Sequence, residues 1–241
     1  MSESTNSNTT SIPEINDGLT PEERDGLHQL LQGKLNELAQ LEQDKQLAQA
    51  SPLVRARLQL DIAEALNALE RKPEAWTLAR DSFNIALQQA AWQDAVEACD
   101  VLFQTEQEDS IAALCMGIWL SITFPVDPEL TLTMLIHFVD SSPGNSDATA
   151  LAAITGRYVV DLRAGDEQHE SQSFLADNLI SMVAKRHSNV KDQEAMDKWL
   201  TRLELRKPEV FLPRFAEAIN TLVGDKWWFD RDELRSQLPD Y

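Results

Sequence analysis

The apolar residues of this chain recur at intervals of three and four. Leu27, Leu31, Leu35, Leu38 and Leu41 set the pattern, and Leu58, Ile62, Ala65 or Leu66, and Leu69 repeat it. Side chains at such spacings line one face of a helix, whereas a half-buried strand alternates with a period of two. A chain patterned this way buries its apolar surface by packing helix on helix. No segment of four or more residues alternates well enough to read as a strand. Composition points the same way. Leu, Ala, Glu and Gln dominate, and 241 residues hold only 8 Gly and 10 Pro. The dominant four are good helix formers, while runs of Val, Ile, Thr and Tyr, the usual strand material, are nearly absent.

Start and stop signals divide the pattern into elements. Thr20-Pro21-Glu22-Glu23 combines a capping threonine, a first-turn proline and a glutamate placed to close a capping box. Ser51-Pro52 opens a second helix in the same way. Pro73 opens a third, with Trp76, Ala79, Phe83, Ala86 or Leu87, and Ala90 on one side. Trp92-Gln93-Asp94-Ala95 opens a fourth, with Ala95, Cys99, Leu102 and Phe103 inside. A fifth runs from about Asp109 to Phe124. Its apolar run, Ile111 to Phe124, is 14 residues long, too short for a bilayer and suited to a core helix. Asp127-Pro128-Glu129 opens a sixth, which ends at the turn Ser141 to Asn145. Further helices are expected over 147–164, stopped by Gly165, over 171–187 and 191–206, from Pro208, and over a short last segment capped by Asp230 with Glu233.

The expected fold is therefore all-α, an array of about eleven helices joined by short polar links. Short links make successive helices antiparallel neighbours, so helical hairpins are the expected unit. Residues 1–18, polar and rich in Ser, Thr and Asn, are expected to be a disordered tail. Hairpins over 19–142 and over 146–241 are expected to pack as one continuous domain, with the turn at Ser142 to Asn145 between the halves.

One stretch recurs. Arg71-Lys-Pro-Glu-Ala-Trp76 and Arg206-Lys-Pro-Glu-Val-Phe211 share four identical residues at an offset of 135, and the same offset sets Leu87 on Leu222 and Trp92 on Trp227. Lys-Pro-Glu is a favourable helix start, because proline fits the first turn and glutamate complements the positive helix end. The segment Arg71 to Cys99 resembles tetratricopeptide-type helical hairpins. Trp92, Ala95 and Cys99 take the places of the aromatic, Ala and small residues that open the second helix in that family. Ala86 takes a packing position of the first. The offset is close to four units of the family period of about 34 residues. The family's Leu-Gly pair and closing proline are missing. The resemblance implies a repeat-like helical scaffold with a concave surface for a peptide or protein, and no catalysis.

The formal net charge is −19. Such a surface repels phosphates and disfavours direct binding to nucleic acid; it either only maintains solubility, as in a salty environment, or suits a basic partner or mimicry of a polyanion. The first 18 residues lack the basic and apolar regions of a secretory signal, so a cytoplasmic location without membrane insertion is expected. No phosphate-binding loop or dinucleotide fingerprint occurs. His169-Glu170 lacks the second histidine of a zinc-protease motif, and His137 lies in an apolar helix, where a satisfied core histidine is the natural role. Cys99 and Cys115 lack Cys-x-x-Cys spacing and read as buried thiols. No catalytic, cofactor or metal residue is expected.

Two clusters remain as candidate contacts with a partner. Asp94, Glu97 and Asp100 recur every three residues on one helical face, either as a solvated outer face or as a site for a cation or a basic partner. Trp227, Trp228 and Phe229 are consecutive aromatics. They either pack inward where the last helix folds back over the array, or offer an exposed aromatic surface. From Lys185 to Lys207 the chain carries seven bases against four acids, a modestly positive segment. The expected function is a non-catalytic protein–protein interaction scaffold: an adaptor, assembly factor or chaperone-like protein. The alternatives are an acidic regulator that mimics nucleic acid to sequester a basic partner, and an all-helical enzyme without a recognisable motif.

Overall fold

A computed structural model describes residues 18–43 and 52–238, and every regular element among them is an α-helix. They are α1 (Pro21–Gln43), α2 (Pro52–Ala68), α3 (Lys72–Gln88), α4 (Trp92–Gln104), α5 (Ser110–Thr123), α6 (Pro128–Ser141), α7 (Asp147–Arg163), α8 (Asp166–Ser188), α9 (Gln193–Arg202), α10 (Pro208–Val223) and α11 (Arg231–Arg235). The expected tail and the Ser51 cap fall outside the described residues.

Local chemistry accounts for most of the starts. Thr20 and Glu23 close their capping box: the Thr20 backbone N–H donates to Glu23 Oε2 at 2.8 Å and the Glu23 N–H donates to Thr20 Oγ1 at 3.3 Å. Asp127 Oδ1 accepts from the Glu129 N–H at 2.7 Å, and Asp230 Oδ1 accepts from the N–H groups of Asp232 and Glu233. The stops are less legible. Glu70, Ala90, Glu106, Asn189 and Glu204 all turn the chain with φ between 52° and 58°, the left-handed conformation that usually falls to glycine. Behind three of them the next N–H reaches back to close the helix: Arg71 to Leu66 O, Ala91 to Ala86 O and Leu205 to Leu200 O, each at 2.9 Å. Ala90, expected on the apolar side of this helix, instead lies past its end as an exposed stop residue.

Other differences have similar local causes. Gly165 does not stop α7 in a left-handed turn. It is extended (φ −70°) and serves as the N-cap of α8, which begins five residues earlier than the apolar pattern suggests, because Asp166 and Glu167 suit a positive helix end. Asp192 caps α9 by accepting from the Ala195 N–H at 2.8 Å, so α9 is shorter than the expected 191–206. The leucine stripe of α1 is only half used. Leu31 and Leu41 are buried while Leu35 is exposed, since α2 is the helix that covers α1.

Each helix from α1 to α8 packs on its successor, and α8 touches α9. A second set of contacts skips one helix: α2 meets α4, α4 meets α6, and α6 meets α8. The helices α2, α4, α6 and α8 thus share one layer. On the other side, α10 returns to pack on α5 and α7. The helix α5 is buried on nearly all faces. Its Gly117 permits this, because a Cβ there would lie 2.7 Å from Cys99 Cβ on α4 and would collide with the end of Met134 on α6. The buried apolar residues form one cluster from Leu31 to Leu234, continuous across the turn between α6 and α7.

Candidate functional site

The skipping contacts of α2, α4 and α6 leave a cleft of about 420 Å³, lined by Arg57, Glu64 and Asn67 of α2, Glu97, Asp100 and Gln104 of α4, and Leu130 of α6. Asp94, Glu97 and Asp100 all lie on this side of α4 and are half-buried. They are not a solvated outer face, because the neighbouring helices of the layer flank them.

Arg57 is the central cation. Its guanidinium makes a close ion pair with Glu97, with Asp94 Oδ1 at 3.7 Å, while its Nε lies 3.3 Å from Asp61 Oδ1. Lys34 of α1 reaches Asp61 from outside at 3.1 Å. At the other end, His137 of α6 places Nε2 3.2 Å from Asp100 Oδ1, with its ring centroid 5.1 Å from that of Phe103. The approach is off-axis, and Asp100 Oδ1 has no well-aligned donor. The Gln104 side chain donates to Asp100 Oδ2 at 2.8 Å. Gln93 donates to Glu97 Oε1 at 3.1 Å and accepts from the Asp127 N–H at 3.0 Å, which ties the α4 stripe to the start of α6.

The electrostatics of the cleft are unbalanced. Burial pushes the Glu64 carboxyl above its usual pKa, and Asp61, Glu97 and Asp100 push it further, against the relief offered by Arg57. The Asp100 carboxylate raises the pKa of His137 and Asp140 adds to this, while burial opposes both. Asn67 Oδ1 is a buried acceptor without a donor. The vacant valences on this wall are acceptors, and a group rich in N–H donors fits them.

The aromatic triplet lies elsewhere. It occupies the non-helical link between α10 and α11, so Trp227 does not open a helix as Trp92 does. All three rings are half-buried. The chain bends at Trp228 and Phe229, so that Trp228 turns to α3 while Trp227 and Phe229 pack on each other and share Trp119 of α5. Trp228 meets Trp76 at 6.0 Å and Phe83 at 5.4 Å, Phe229 meets Trp119 at 5.5 Å, and Trp227 meets Trp119 at 6.1 Å. Arg80 stacks 3.8 Å from the Trp228 ring and Arg231 4.3 Å from Trp227. Lys226 closes the edge on Asp109 at 2.5 Å. The triplet fastens the link across α3 and α5, on the layer away from the acidic cleft. The two clusters singled out in the sequence do not form one site.

Sequence reasoning passed over Arg57, Glu64 and Asn67, although Arg57, Asp61 and Glu64 stand at spacings of four and three on α2. His137, expected in the core, is half-buried at the end of the cleft beside Asp100. Both thiols are buried. Burial raises the Cys99 thiol well beyond its usual range and pushes Cys115 up to about 12, so neither supplies a thiolate at neutral pH. Among the described residues no three His, Cys, Asp or Glu side chains are grouped to hold a metal ion, and no helix is long and apolar enough to cross a membrane. Comparison of the chain with protein-family models, curated proteins and solved structures gave no match. What these observations define is a class: an all-α helical array with an acidic cleft on one layer.

Proposed function

We propose that the protein is a non-catalytic interaction scaffold whose α2–α4–α6 cleft receives a basic segment of a partner protein or peptide. The observation that carries this reading is the crowding of Asp61, Glu64 and Glu97 around Arg57, with Asp100 further along the same cleft and Glu64 held at a pKa unfavourable to its charge. Like charges gathered in a concave site cost stability in the free protein. A cationic guest turns that cost into binding free energy, and the buried Asn67 acceptor, which has no donor, matches its N–H groups. The shared layer of α2, α4, α6 and α8 supports a tetratricopeptide-like arrangement of hairpins, in which one helix of each pair faces the ligand.

The nucleic-acid mimic fits less well. Mimicry needs carboxylates arrayed on an exposed face, whereas Asp94, Glu97 and Asp100 are half-buried between helices. The test is selection of random peptides on the folded protein. Sequences enriched in Lys and Arg are expected, with affinity that falls steeply as salt rises and is lost in the triple variant Glu64→Gln/Glu97→Gln/Asp100→Asn. Selection without basic enrichment, or binding indifferent to the triple variant, would overturn the proposal.

A further inference from the structure

The outer face of α8 carries several exposed apolar residues on one helix. Phe174 is 66% exposed, Leu175 50% and Met182 44%. With Ser171, Asn178 and Lys185 they form one exposed stripe at helical spacing along a helix whose other side, Gln172, Ala176, Leu179 and Val183, is packed into the protein. Isolated exposed apolar residues are ordinary. A stripe with an apolar middle and charged ends of opposite sign is a different object. The N-terminal end carries Asp166, Glu167 and Glu170, and the C-terminal end carries Lys185 and Arg186. Glu167, Glu170 and Lys185 are exposed and form no ion pair among the described residues.

We infer that this face docks a second copy of the same chain, with the two α8 helices antiparallel about a two-fold axis at Asn178. The stripe is self-complementary about that residue. Turning one copy over sets Phe174 against Met182 of the other, twice, as a thioether–aromatic contact. Asn178 meets its own counterpart, where paired amides fix register. Lys185 falls opposite Ser171, within one turn of Glu167 and Glu170. The helix dipoles also oppose favourably in this orientation. An isologous contact closes on itself and yields a dimer without further growth. The net charge of −19 works against any self-association, so the dimer is weak and best seen at physiological ionic strength, where distant repulsion is screened and contact pairs survive. The face belongs to α8 and leaves the acidic cleft open, so the inference stands apart from the proposed function.

Sedimentation equilibrium of the full chain at about 10 to 500 μM brackets a weak interface of this kind. The weight-average mass is expected to climb from 27.1 kDa towards twice that value. Phe174→Glu/Met182→Glu changes only exposed positions; with helicity unchanged by circular dichroism, it is expected to weaken association at least ~10-fold. Register is read by mild oxidation. Asn178→Cys is expected to form a disulfide-linked dimer, and Gln168→Cys, which sits opposite Ser188, is not; Cys99 and Cys115 are buried and stay out of the reaction. A mass fixed at the monomer value throughout overturns the inference. So does a dimer that the double glutamate variant leaves intact, or a cross-link at 168 in place of 178.

Discussion

The acidic cleft and the aromatic link are the two most distinctive clusters in the molecule, and they are satisfied to different degrees. Around Trp227, Trp228 and Phe229 every ring has a ring partner, and arginines cover two of their faces. In the cleft, carboxylates outnumber nearby cations and two buried acceptors have no aligned donor. A cluster whose interactions are completed internally contributes to stability. One left with unmet charge and acceptors is the better candidate for binding something else. That difference predicts opposite responses to substitution.

The largest effect is expected on the aromatic side. Trp228→Ala removes the contacts with Trp76 and Phe83 and the stacking of Arg80, and should cost about 3 kcal/mol in urea unfolding, with binding to a basic peptide unchanged. If the variant instead remains stable and loses a partner, the link is a docking surface and the comparison is reversed. Next is the packing beneath the cleft. Gly117→Ala forces a methyl against Cys99 and Met134 and should cost about 2 kcal/mol, displacing α4 and so weakening peptide binding as well.

Smaller effects belong to the cleft itself. His137 has a folded-state pKa above the ordinary value of 6.5 because of Asp100. Its protonated form therefore stabilises the fold fully below that ordinary value, and the contribution fades as pH rises through the folded-state value. His137→Gln should cost about 1 kcal/mol or less at low pH and nothing at high pH, a difference read from thermal melts across that range. Glu64 has the smallest expected effect and the most telling sign. Its carboxyl pKa is raised above 4.5, so as pH rises its ionisation costs stability that Gln does not lose. Glu64→Gln should raise stability at neutral pH by a few tenths, ~0.3 kcal/mol after solvent screening, and should bind the basic peptide more weakly. A variant that is both less stable and binding-neutral would mean that the cleft is an ordinary ion-pair network.

Much of this architecture could be read from local pattern. The periodicity of Leu and Ala marked the helices, and the Thr20–Glu23, Asp127 and Asp230 caps marked where several of them begin. Helix ends were harder, because Glu70, Ala90, Glu106 and Glu204 adopt left-handed turns without the glycine that normally signals them. Behind Glu70, Ala90 and Glu204 the next N–H reaches back to close the helix, and that bond carries no residue signature. The stripe Asp94–Asp100 was visible, but its side of the helix was not, since spacing shows which residues share a face and not what that face meets. Arg57 lies 40 residues from Glu97, and His137 lies 37 residues from Asp100.

The sequence by itself determined the secondary structure class, most helix starts and the strong negative charge, because these depend on spacing, capping and composition within a few residues. Only the tertiary structure decided which charges confront one another, which aromatics are completed from within and which face of α8 is left uncovered. Those outcomes depend on distances between helices far apart in the chain, and such distances are set by the packing of the whole core around α5.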